Sequence, residues 1–276
     1  MIMRLEREQS VKEYLDIMDH RKTEQLIDTL DKVEQNRKEC YIREFSIEHF
    51  HDSKVFETLI PKICKIFREE NEELTGFENE EILAEYQIYK TPGYVYMKGN
   101  VQIYSAGKQA ADISAFPEGI AVAVGSEEDT PDICPDQTID KVFTIENLTS
   151  FYRFKQEHSL VIYLGGYHNH SRRNLLMQIY QKLPDAQYYH FGDLDAGGFY
   201  ILEHLKRKTG IPFQMFQMDI ETLKKYEDYA KPLTENDKKR LMQLEKMELP
   251  DEERKLITYM LQKGIKLEQE CISESQ

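Results

Sequence analysis

Two aspartates one residue apart, Asp193 and Asp195, follow the aromatic run Tyr188-Tyr189-His190-Phe191 and precede the glycine pair Gly197-Gly198. An apolar run, two acids, two glycines and then apolar residues at helical spacing read as buried strand, tight turn and helix. In an extended chain residues i and i+2 point to one side. The two carboxylates therefore face one spot and repel unless a cation, a shared proton or a basic residue lies between them. A divalent metal meets that need, and the glycines let the backbone turn and let a phosphate approach the helix start. The plainer alternative is that Asp193 opens the turn and Asp195 caps the helix.

Strands and helices must position these acids. From residue 141 onward the pattern predicts strand 141–145, helix 148–154, strand 160–164, helix 172–183, strand 187–191 and helix 198–206. Such alternation with short loops predicts a parallel sheet with helices packed on it, and in that architecture ligands sit at the carboxyl ends of strands. The first strand ends in Glu146-Asn147. The second ends in Gly165-Gly166 and a loop carrying His168, His170, Arg172 and Arg173, and the third ends in the paired aspartates. If these ends adjoin, Glu146, Asp193 and Asp195 form an oxygen-rich cluster suited to Mg²⁺ or Mn²⁺ rather than zinc. No acid occurs from His158 to Pro184, so a basic loop flanks the acids. Three carboxylates and a metal beside a basic loop outline a phosphodiester site, in which Glu146 alternatively serves as a general acid or base. His190 lies within a strand and is expected to be packed rather than catalytic.

The earlier chain reads differently. Helical spacing appears at 8–18, 23–33 and 55–67, a short strand is expected at 40–47, and the acidic stretch 69–81 reads as a solvated connection. Alternating tyrosines and turn clusters between 86 and 111 predict a β-hairpin or meander. That segment holds Lys90, Lys98 and Lys108 and no acid. It is either a nucleic-acid surface or an ordinary core sheet with solvated lysines. The acidic, proline-bearing loop 126–137 is the expected boundary. The division is then a helical segment 1–39, an α+β region 40–137 and a catalytic domain 138–276, whose tail carries helices near 232–247 and 251–264 followed by Glu268 and Glu270.

Composition sets limits. The chain has 276 residues, 40% of them hydrophobic, and a net charge of −14. Phosphate binding normally needs a basic footprint, so local charge matters more than the sum. Cys40, Cys64, Cys134 and Cys271 form no CxxC pair, which argues for reduced thiols in a cytoplasm and against zinc. No apolar run spans a bilayer, and the first residues lack the apolar core of a signal peptide, so no membrane is expected.

A strand-end glutamate, a glycine after the next strand and Asp-x-Asp after the third resemble the toprim domain of topoisomerases and primases. More closely, the stretches 143–151, Gly165-Gly166 and 192–199 resemble the DUF2220 family, which includes the JetD nuclease subunits of the Wadjet anti-plasmid systems. Residues 45–57 and 267–270 extend the likeness to roughly Cys40–Ile272. The resemblance implies an α/β fold with a C-terminal toprim-like parallel sheet, preceded by a helical plus β-hairpin, winged-helix-like region. It implies a metal-dependent endonuclease acting on circular double-stranded DNA, with Glu146, Asp193 and Asp195 as catalytic and metal-binding residues and with Glu268 or Glu270 reaching the cluster or orienting a basic residue. It further implies an SMC-like ATPase motor with kleisin-type subunits as partner, and a homodimer so that both strands are cut. Arg172, Arg173, Lys98 and Lys108 are the candidate DNA contacts. The tyrosine motif of the topoisomerase VI A subunit has no counterpart here, which favours hydrolysis over a tyrosyl intermediate. Two other classes stand beside this one: a non-catalytic DNA-binding or assembly subunit, and an Asp-x-Asp phosphohydrolase.

Overall fold

A computed structural model describes Tyr14, residues 19–71, Leu74, and residues 77–90, 93–124, 131–165 and 170–272. The chain divides into two compact units, Met1–Pro92 and Gly93–Gln276. This division falls inside the tyrosine-rich segment 86–111, whereas the described part of the stretch expected as a boundary loop, 131–137, belongs to the second unit and carries a strand at Asp132–Pro135.

The first unit is mainly helical, with α1 (His20–Gln35), α2 (Ile42–Phe50), α3 (Val55–Glu70) and α4 (Asn79–Glu85), and a short parallel pair of β1 (Cys40–Tyr41) and β2 (Ile88–Tyr89). The helix expected at 8–18 lies outside the described residues except for Tyr14. The strand expected at 40–47 is shorter and gives way to α2. There the Tyr41 N–H donates to Glu44 Oε2 at 2.8 Å and Phe45 and Ser46 are buried, a helix start that overrides the β-like local pattern. The connection expected at 69–81 is trimmed at both ends by α3 and by α4, whose start is held by the Glu78 N–H donating to Glu81.

The second unit is built on a six-stranded sheet. Its strands are β3 (Gly93–Lys98), β6 (Ile120–Val124), β8 (Lys141–Ile145), β9 (Ser159–Tyr163), β10 (Gln187–Phe191) and β11 (Gln214–Met215), in the order β11-β10-β8-β9-β3-β6. The four strands from β11 to β9 are parallel, but β3 runs antiparallel to both β9 and β6. The sheet is therefore mixed, not parallel throughout as expected. The tyrosine-rich segment does not form one meander. Its β3 extends the main sheet, while β4 (Val101–Ser105) pairs with β5 (Lys108–Asp112) and β7 (Asp132–Pro135) in a separate three-stranded sheet.

Alternation along the central strands splits the core. Val142, Leu160, Ile162 and Tyr188 face one apolar cluster, which α6 (His170–Lys182) covers with Leu175, Leu176 and Ile179. Phe143, Ile145, Val161 and Phe191 face another, covered by Phe151 of α5 (Leu148–Arg153) and by Leu256, Ile257 and Met260 of α10 (Asp251–Lys263). α7 (Ala196–Thr209) gives Leu202 and Leu205 to the first cluster and Phe199 to the second, while α8 (Ile220–Lys225) and α9 (Glu235–Leu244) add Leu223, Leu241 and Leu244 to the second, and β12 (Lys231–Pro232) pairs with β13 (Ile265–Lys266). Gly264 ends α10 in the left-handed region at φ 70°, the stop that its position after the apolar pattern predicts.

Candidate functional site

The registers bring the acid-bearing strand ends together. Ile145, the last residue of β8, lies opposite Phe191 of β10 on one side and Tyr163 of β9 on the other. The chain leaves β8 toward β9 and leaves β10 in the opposite direction toward β11, so the gap between β8 and β10 is a topological switch point. In open α/β sheets that crevice is where ligands bind, and here Glu146 and Asp193 stand on its two sides.

Backbone contacts tie them closely. The Glu146 N–H donates to Phe191 O at 3.0 Å, and the Asp193 N–H reaches Glu146 Oε2 at 3.3 Å. Gly192 makes this approach possible, because a Cβ there would lie 2.6 Å from Glu146 Oε2 and 2.9 Å from His190 Nε2. Asp195 is the N-cap of α7, its Oδ1 accepting from the Gly198 N–H at 2.9 Å. The capping alternative for Asp195 is thus observed. Gly198 is required for close packing, since a Cβ would stand 2.2 Å from Asp193 O.

The C-terminal segment closes over these acids. Leu194 and Leu267 exchange backbone hydrogen bonds of 2.9 and 3.1 Å, which brings residues 268–271 to the site. Gln269, fully buried, makes three bonds there. Its N–H donates to Asp193 Oδ1 at 2.7 Å, its Nε2 donates to Phe191 O at 3.0 Å, and its Oε1 accepts from the Asn147 N–H at 2.9 Å. Glu270 Oε1 accepts from Asn147 Nδ2 at 2.5 Å, while Glu268 pairs with Lys231 at 2.5 Å.

Asp193 carries the electrostatic consequence. Burial pushes its carboxyl up to about 6, against the Gln269 N–H that lowers it, and the neighbouring charges of Asp195, Glu270 and Glu268 push the same way as burial. A cation among these oxygens would reverse that balance. The donors are all carboxylates, a set suited to a hard divalent ion. Among the described residues, however, no three Asp, Glu, His or Cys side chains stand as a finished ligand set.

The other candidates fall elsewhere. Lys98 is buried, its Nζ donating to Phe151 O at 2.6 Å and Tyr152 O at 3.3 Å and lying 4.9 Å from the Phe151 ring centre. It caps the end of α5, so its charge serves the interior instead of an open face. Arg173 is buried, and Arg172 Nη1 donates to Leu164 O at 2.6 Å, bracing the end of β9. Lys108 is exposed. His168 lies outside the described residues, as does the His170 side chain. His190 is fully buried, with Nδ1 3.0 Å from Thr144 Oγ1, and burial lowers its pKa to about 3. Asn147, Gln269 and Lys231 were not singled out as functional by sequence. Asn147 was open to discovery, because an Asn after a strand and before Leu148-Thr149-Ser150 is an N-cap signal, and its Oδ1 accepts from the Thr149 N–H at 2.7 Å.

A family model described as Wadjet protein JetD, C-terminal, matches residues 130–276. The chain is 29% identical over 255 residues to Wadjet protein JetD of Bacillus cereus (strain Q1), an alignment covering 90% of this chain and 61% of that protein. The chain thus spans about three-fifths of the length of that relative. None of its described helices is long and apolar enough to cross a membrane. Because the family model covers more than half of the sequence, the chain belongs to the family defined by the C-terminal region of Wadjet protein JetD.

Proposed function

We propose that this chain is a divalent-metal-dependent endonuclease of toprim type, acting on circular double-stranded DNA within a Wadjet-type defence system. The observation that carries the reading is the meeting of Glu146 and Asp193 across the switch point between β8 and β10, with Asp193 desolvated among Asp195, Glu268 and Glu270. A desolvated carboxyl among like charges is costly unless a cation offsets it, and carboxyls perturbed in this way mark candidate functional sites.

Glu146, Asp193 and Asp195 would hold Mg²⁺ or Mn²⁺, with Glu268 or Glu270 as a further oxygen donor. When bound, the ion supplies polarisation of a phosphoryl oxygen and a lowered pKa for water. The chain's own residues set the stage for it. Gln269 fixes the Asp193 carboxylate by donating to Oδ1, and the Gly198 N–H fixes that of Asp195. In the alternative role, Glu146, which leaves a buried strand, would serve instead as the general base or acid that accepts a proton from an attacking water or returns one to the departing oxygen. The family relation further supports an SMC-like motor with kleisin-type subunits as partner, and cutting of both strands calls for two copies of the site.

The test is cleavage of supercoiled circular DNA with Mg²⁺ or Mn²⁺, with and without the cognate motor complex and ATP, by the natural chain, Glu146→Gln and Asp193→Asn. Cutting by the natural chain that both substitutions abolish is expected. Cutting that survives both places the chemistry elsewhere. No cutting with all partners present would favour an assembly subunit, a reading to which the capping role of Asp195 and the Glu268–Lys231 pair lend support.

A further inference from the structure

The residues that sequence reasoning offered as DNA contacts are mostly committed to the fold, since Lys98 and Arg173 are buried and Arg172 holds a strand end. Positive charge is exposed instead at the ends of α8 and α10. Lys224 and Lys263, each in the last turn of its helix, both reach the ring of Tyr259, with Nζ 5.6 and 5.9 Å from its centre. Lys225 lies 5.0 Å from the ring centre of the adjacent Tyr226. Among the described residues neither Lys224 nor Lys263 has a hydrogen bond or an ion pair, although the chain carries an excess of 14 negative charges.

Two exposed ammonium groups held on one aromatic ring are repelled by each other and left without a carboxylate. The ring faces and the helix C-termini offset part of that repulsion and leave both charges open to an outside anion. The patch is also joined to the carboxylates. Glu268 lies five positions after Lys263, so their Cα atoms are at most about 18 Å apart. The intervening β13 pairs with β12, where Lys231 bonds Glu268.

We propose that Lys224, Lys263 and Tyr259 form a backbone-binding patch for duplex DNA, contacting phosphates next to the cleavage site. This rests on the nuclease reading above and adds the face on which the duplex lies. The contact is to phosphate and sugar, so it positions the duplex without reading its sequence. Glu221 within α8 and Glu227 just after it limit the affinity, which makes the patch a guide for DNA that the motor delivers.

The experiment is a salt titration of duplex binding by the full chain in EDTA, so that no cleavage intervenes. It compares the natural chain, Lys224→Gln with Lys263→Gln, and a control pair of exposed lysines, Lys239→Gln with Lys246→Gln. Each phosphate contact contributes about 0.9 to the slope of log affinity against log salt, so the first pair should lower the slope by nearly 2 and weaken binding at least about tenfold near 0.1 M salt. The control pair should leave the slope unchanged. An unchanged slope in Lys224→Gln with Lys263→Gln, an equal change in the control pair, or no duplex binding by the natural chain each overturns the patch. Melting temperature of each variant separates misfolding from lost contact, and Lys224→Arg with Lys263→Arg should restore the slope. Cleavage by the natural chain with no slope change defeats only the patch, whereas a slope change with no cleavage defeats only the nuclease reading.

Discussion

Gln269 donates its backbone N–H to Asp193 Oδ1 at 2.7 Å across 76 residues of sequence. This bond and the two made by the Gln269 side chain hold the ends of β8 and β10 and the C-terminal segment as one unit. Gln269→Leu would leave the Asn147 N–H without its acceptor, while Phe191 O keeps the Glu146 N–H. Leaving such a group unmade costs about 1–3 kcal/mol. Chemical denaturation should show a loss of about that size, and DNA cleavage should fall more steeply than stability alone accounts for. A Gln269→Leu protein as stable and as active as the natural one would show that the bracing is dispensable.

The raised Asp193 carboxyl makes stability depend on pH. Its pKa rises from 3.8 to about 6 on folding, so the folded state holds this proton more tightly than the unfolded state. The contribution is complete below pH 4 and is lost as pH rises through 6, amounting to about 3 kcal/mol. His190 and His204 act oppositely. Both are held neutral down to about pH 3 by burial, so their contribution is present above 6.5 and lost as pH falls. The difference between Asp193→Asn and the natural chain isolates the acid. In chelator, the variant should gain stability progressively from pH 4 to 6, and added Mg²⁺ or Mn²⁺ should close the gap by binding the natural fold.

Much of this site was legible in sequence, and the limit is instructive. Strands 141–145 and 187–191 are found where alternation and turn residues placed them, and the helix after Asp195 starts at a readable cap. Pairing was not legible. Met97 of β3 lies beside Ile162 of β9, an antiparallel contact that turns the expected parallel sheet into a mixed one. Period-2 patterning says that a segment is a strand and which face it buries, but not which distant strand it joins. The same holds for Gln269, whose role comes from the Leu194–Leu267 bridge and from no local pattern. Lys98 misled for a related reason. A lysine between tyrosines looks like a surface charge until a neighbouring helix end takes up its ammonium.

Lys98→Met therefore tests burial against binding. The substitution keeps the stem's volume but removes the donor to Phe151 O and Tyr152 O. Hydrogen bonds made by a charged group contribute about 1.5–3 kcal/mol, so stability should drop within that range while duplex affinity of the folded protein stays unchanged. A specific loss of duplex affinity at constant melting temperature would return Lys98 to the DNA-binding set.

The two glycines after Asp195 should respond differently to alanine. At Gly197 the added Cβ lies 3.0 Å from Asp195 Oδ1, a side-chain tip that need give only a few tenths of an ångström and can keep its bond to the Gly198 N–H. Alanine at an early helical position recovers about 1 kcal/mol of helix propensity, so Gly197→Ala should be near neutral in stability. At Gly198 the Cβ meets Asp193 O at 2.2 Å and Asp193 C at 3.1 Å, both backbone atoms. Relief requires α7 to move away from the Asp193 peptide, which loosens the Asp195 cap and shifts the carboxylate that Gln269 holds. Gly198→Ala should cost about 1–3 kcal/mol or more in denaturation, and should abolish cleavage even at temperatures where the protein remains folded. If Gly198→Ala cuts DNA normally, the spacing between Asp193 and the start of α7 does not matter to the chemistry, and the acids at that turn are not its centre.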